Sequence, residues 1–169
     1  MSASLTRFTA RAALLAAIVS SAAFTTAFGP PHISVRKVST ADTAPAGAVL
    51  LVEGGHHDKD AELNIIGRAE GLQNGKRISQ PLRLEKQSAG HYSLSKQWQD
   101  GTPWILVLAV DQGSAGAHGV AEALVKVDAS GTIGAIEYPA PGWIGRTNTP
   151  KRTASTVIDA MLAQMVARR

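Results

Sequence analysis

Residues 90–110, GHYSLSKQWQDGTPWILVLAV, decide the fold. Tyr92, Leu94 and Trp98 fall on one side of an extended chain, and His91, Ser93, Ser95 and Gln97 on the other. A period of two marks a half-buried strand. Gln99-Asp100-Gly101-Thr102-Pro103 interrupts it with turn chemistry. Trp104 to Val110 then contains no polar residue, so both faces of that strand must be buried. The block reads as two strands joined by a short polar turn, the central hairpin of a β-sandwich.

Working outward, similar runs recur on both sides. Ile33–Val38 reads as a short edge strand. Ala48–Glu53, Ala61–Glu70, Leu72–Arg77 and Ser79–Lys86 precede the central block, and Val120–Val127 and Thr132–Tyr138 follow it. Asn74-Gly75 is a tight-turn dipeptide, and Asp128-Ala129-Ser130-Gly131 signals another hairpin. Pro81 confines its run to a sheet edge or a strand start. Short strands, frequent turns and no helical insert predict one antiparallel, immunoglobulin-like β-sandwich of about seven strands. A small β-barrel is the alternative.

At the end of the chain the period changes. Ala154, Val157, Ile158, Met161, Leu162 and Met165 share one face of a helix over 153–167. An apolar helix face and a strand apolar on both sides each need a partner. The helix is therefore predicted to pack on the second face of Trp104–Val110.

Residues 1–27 read as a secretory signal peptide: Arg7 and Arg11 without acids, then the apolar AALLAAIV of Ala12–Val19, then small residues. Ser21–Ala23 and Thr25–Ala27 both fit the cleavage pattern, and Ala27 is preferred. An uncleaved anchor is the alternative. Residues 28–46, with Pro30, Pro31 and Pro45, read as a linker, 47–138 as the sandwich, and 139–169 as a second linker plus the helix. The protein is thus expected in the periplasm or secreted. The chain has no cysteine, which excludes disulfides, thiol catalysis and thiolate metal sites. Without Arg7 and Arg11, 15 basic residues stand against 13 acidic ones, too even a balance for nucleic acid. Membrane contact is expected only through an uncleaved signal or the basic C-terminal helix.

Chemistry-bearing residues are few. His56, His57 and Asp58 follow the first strand of the core, in Gly-Gly-His-His-Asp-Lys-Asp. Two imidazoles and a carboxylate in a turn suit copper or zinc. His118, in the glycine-rich 113–119 segment, completes such a set if that loop folds beside the first; a solvated polar turn is the alternative. The 113–119 segment lacks the Lys and Ser/Thr of a phosphate loop. His91 reads as solvated, and His32 sits in the linker. No G-x-S-x-G elbow and no marked acid/base pair occur, so no catalytic residue is assigned and an enzyme is not expected. Tyr92, Trp98 and Trp104 read as core, with a sugar platform the rival reading.

Gly90-His91-Tyr92, a polar gap and then Trp104-Ile105-Leu106-Val107-Leu108 resemble the signature of extracytoplasmic YtkA-like domains, related to FixH-like and CopC-like sandwiches. The resemblance covers about Gly47 to Val110 and implies a β-sandwich exported from the cell. Its copper-binding members use His, Asp and Met ligands. Here Met161 and Met165 lie on the apolar helix face instead. The expected function is a non-catalytic accessory or interaction module with a protein partner in the envelope. The alternative is a periplasmic copper- or zinc-binding or delivery protein using His56, His57 and Asp58.

Overall fold

The computed structural model describes residues 31–55, 64–111, 120–139, 142–144 and 147–167. Two antiparallel sheets face one another. The first contains β1 (His32–Lys37), β2 (Ala48–Gly55), β5 (Glu85–Ser88) and β6 (His91–Ser95), in the order β1-β2-β6-β5. The second contains β3 (Asn64–Gln73), β4 (Lys76–Leu82), β7 (Trp104–Asp111), β8 (Ala121–Val127) and β9 (Ile133–Glu137), in the order β4-β3-β7-β8-β9. These orders reproduce the A-B-E-D and C′-C-F-G sheets of an immunoglobulin sandwich, with β9 added at the edge. A small two-stranded pair, β10 (Gly142–Ile144) and β11 (Thr147–Lys151), leads to helix α1 (Ser155–Ala167).

The sandwich therefore has nine strands rather than about seven. Two boundaries also differ from the sequence reading. Leu72–Arg77 is not a separate strand: Asn74 and Gly75, both at positive φ, form the turn between β3 and β4. Ser79–Lys86 is not one strand either. The chain leaves β4 after Leu82, crosses to the other sheet and resumes as β5 at Glu85. Pro81 does sit on an edge strand, since β4 ends its sheet.

The central block differs in a more consequential way. β6 and β7 lie in opposite sheets, so residues 90–110 form a crossover and not a hairpin. Alternation along each strand is the same for either connection, which is why it does not discriminate between them. The crossing segment is pinned from within. Trp98 is buried in the core between the sheets, and Trp104 Nε1 donates to the Gln99 carbonyl at 2.9 Å. The side-chain amide of Gln97 acts as a short strand: its Oε1 accepts from Arg83 N at 2.9 Å and its Nε2 donates to Arg83 O at 2.7 Å. The two crossings between sheets, near Arg83 and near Gln97, thus hold each other.

The central core joins Val35, Leu50, Val52, Tyr92 and Leu94 to Trp104, Leu106, Leu108, Val110 and Val125. The other face of β7 is also covered. Ile105 and Val107, with Leu124 of β8, pack against Ile158, Met161 and Leu162 of α1, as the apolar pattern on both sides predicts. Polar ties fix the helix. Arg77 Nη1 donates to Asp159 Oδ1 at 2.8 Å and to the Ser155 carbonyl at 3.3 Å. At the helix N-terminus, Thr153 N donates to Glu122 Oε2 at 2.6 Å. A carboxylate there also complements the positive end of the helix dipole.

Candidate functional site

With α1 on the five-stranded sheet, the outer face of the four-stranded sheet is the one that no other described element covers. β1 contributes Ser34 and Arg36 to it, opposite Glu53 and Leu51 of β2; His91 of β6 lies opposite Glu53 on the other side. These residues, with Thr43, Pro45, Gln87 and Ser88, line a cleft of about 390 Å³. That is a ligand-sized volume.

The cleft's charged groups are held in set orientations. Asp42 accepts from Ser39 N at 2.7 Å, from Ser39 Oγ at 2.8 Å and from Arg36 Nη1 at 2.5 Å. The Ser39 backbone N–H, followed by the Arg36 guanidinium and the Ser39 hydroxyl, pulls the Asp42 carboxyl down to about 2. It stays charged at any ordinary pH and offsets the Arg36 charge. His91 is oriented through its Nδ1, which lies 2.8 Å from the Ala89 carbonyl oxygen. A carbonyl only accepts, so Nδ1 carries the proton. In the neutral ring Nε2 then keeps its lone pair, and it sits 3.8 Å from Glu53 Oε1. His32 pairs with Gly55 at the same end of the sheet. Its imidazole lies where a Gly55 side chain would begin, so glycine is what lets the ring cross β2.

The sequence-assigned ligands His56, His57, Asp58 and His118 lie outside the described residues. Among the described residues, no three His, Asp or Glu side chains gather about one centre. The strand ends around those loops are nonetheless together. β2 ends at Gly55, one residue before His56, and β6 begins at His91, with Gly54 N donating to Gly90 O at 2.8 Å. A Cβ on Gly54 would touch Val110 near the end of β7 and Ile65 near the start of β3. Ala121, three residues after His118, pairs with that same Val110. All five histidines are therefore at this end of the sandwich or within three residues, along the chain, of a strand end there.

Three residues of the cleft escape a reading of sequence alone: Arg36, Glu53 and His91 as a member of a pair. Their meeting depends on the register of β1, β2 and β6. The outward phase of Glu53 beside inward Val52 was the available signal.

Among the described residues, the fold is an immunoglobulin-like β-sandwich with one outer face covered by a helix and the other left open. Compared with known proteins, the chain matches no family model, no curated protein and no solved structure.

Proposed function

We propose that this is a non-catalytic, exported β-sandwich module that binds a protein partner in the cell envelope through the open face of its four-stranded sheet. The observation that carries this is the asymmetry of the sandwich. Helix α1 buries the outer apolar strip of one sheet, while the other sheet presents a 390 Å³ cleft lined by Arg36, Glu53 and His91. Binding surfaces combine such a cavity with a few convergent polar groups. Photo-cross-linkers at Ser34 and Gln87 in intact envelopes test it, with Val157 and Val166 on the exposed side of α1 as controls. One adduct of defined mass from the cleft positions, absent from the helix positions, is expected. Equal labelling, or none, rejects the reading.

A second reading is a copper- or zinc-binding or delivery protein using His56, His57, Asp58 and His118. Its support is the gathering of histidine-bearing strand ends at one end of the fold. Imidazole suits both metals. Calorimetric titration of the purified protein with each metal is the test: submicromolar binding lost in a His56→Ala/His57→Ala variant supports it, and no heat removes it.

A further inference from the structure

We propose that the cleft on the four-stranded sheet receives one arginine side chain of the partner protein, held between the Glu53 carboxylate and Nε2 of His91. This rests on the partner-binding reading above and names the chemistry that the face selects.

Two acceptors converge on the cleft with no donor between them. The Ala89 carbonyl holds the proton of His91 on Nδ1, so Nε2 of the neutral ring presents a lone pair. Glu53 Oε1, which can only accept, stands 3.8 Å from it, too far for a hydrogen bond between the two. Neither atom receives a hydrogen bond from another described residue. A single donor nitrogen fits about 2.9 Å from both. Glu53 and His91 are directly opposed on β2 and β6, so strand register and not a loop sets their spacing. Ser34, opposite Glu53 on β1, adds a hydroxyl to the same cleft.

Charge selects a cation for this place. Arg36 is the only lysine or arginine lining the cleft among the described residues, and Asp42 answers it by accepting from its Nη1. Glu53 is then the unbalanced charge of the cleft. Glu85 of β5, opposite Ser93, puts a second carboxylate on the same face. An arginine suits these groups better than a compact ammonium. Its planar fork offers several N–H groups to acceptors that stand apart, and its apolar stem can lie along Leu51 and Pro45, which line the cleft. A cavity of about 390 Å³ has room for that side chain.

Nuclear magnetic resonance titration of the purified protein with the capped tripeptide acetyl-Gly-Arg-Gly-amide tests the site, with citrulline in place of arginine as the uncharged isostere. The arginine peptide is expected to shift the His91 Nε2 and Glu53 carboxyl resonances together, and the citrulline peptide to bind at least about tenfold more weakly. Glu53→Gln should weaken the arginine peptide by a similar factor, and His91→Ala should weaken it less. Both residues are more than half exposed, so the two variants should unfold at the wild-type temperature. In intact envelopes, Glu53→Gln should abolish the adduct formed from a cross-linker at Gln87. Equal binding of the two peptides, or no shift at His91 and Glu53, overturns the site. An adduct that persists undiminished in Glu53→Gln overturns the arginine site and leaves the partner-binding face standing. Binding of the arginine peptide with no adduct from either cleft position rejects the envelope-partner reading alone.

Discussion

Glu70 shows how one charged residue is made tolerable beneath a helix. It is 3 % exposed, and its carboxylate accepts from Arg68 Nε at 2.8 Å, Ser79 Oγ at 3.1 Å and Arg77 Nε at 3.1 Å. Burial pushes its carboxyl up; the hydrogen bonds from Arg77 and Arg68, with the Arg77 charge and the Ser79 hydroxyl, more than reverse this and hold it below its ordinary value of 4.5. The sign of the pH effect follows. A carboxyl whose folded value is depressed stabilises the fold above its unfolded value, and that stability is lost as pH falls through the folded value. Arg77→Ala removes one of two guanidiniums and the tie to Asp159. It is expected to cost about 2–3 kcal/mol at neutral pH. Urea unfolding at pH 7 and in a series below pH 4.5 measures both effects. The variant should lose less stability than wild type on acidification, because part of the acid-labile contribution is already gone. A parallel acid limb in the two proteins would show that Arg77 does not hold Glu70 ionised.

At the scale of elements, the crossovers depend on small side-chain devices. Gln97 satisfies both backbone groups of Arg83 where the chain leaves one sheet for the other. Gln97→Ala leaves that N–H and carbonyl to water and should destabilise by about 1–2 kcal/mol, whereas Gln97→Glu keeps the acceptor and loses the donor. Thermal unfolding of the two variants, with Glu intermediate, checks this; equal midpoints for Ala and wild type would count against it. The edge strand β1 is protected in a similar way. Tyr138 Oη accepts from Val35 N at 2.9 Å and donates to Val35 O at 3.1 Å, on the side of β1 away from β2. These devices mark where sequence reading stops. The strands themselves were legible, because alternation in Tyr92–Leu94 and the two-sided apolar run of Trp104–Val110 are local. So was the cover for Ile105 and Val107, because the face of α1 has its own period. Whether β6 pairs with β7 is a long-range matter, fixed by Trp98 and Gln97 reaching distant partners. The His91–Glu53 pair was hidden for the same reason: it joins residues 38 positions apart through strand register.

For the molecule as a whole, α1 is what makes the two faces of the sandwich different. Ile158, Met161 and Leu162 are buried against Ile105, Val107 and Leu124. Each large apolar side chain contributes about 1.5–3 kcal/mol when fully buried, so the three together approach the net stability of an ordinary domain, about 5–15 kcal/mol. The ion pair between Arg77 and the half-exposed Asp159 adds far less, because surface pairs contribute about 0–1 kcal/mol. Removal of residues 152–169 would then expose an apolar strip on β7 and β8 that nothing else among the described residues covers. Two outcomes fit that physics: loss of the cooperative thermal transition, or self-association through the bared strip. Size-exclusion chromatography and near-ultraviolet circular dichroism, which reports the packing of Trp98 and Trp104, separate them. Leu162→Ala is the milder test. It leaves the chain intact and should cost about 2–5 kcal/mol by opening a cavity under the helix. A truncated chain that stays monomeric and melts at the wild-type temperature would mean that α1 rests on the sheet without stabilising it. Among the described residues, the outer face of the five-stranded sheet would then join the open cleft as a surface available to a partner.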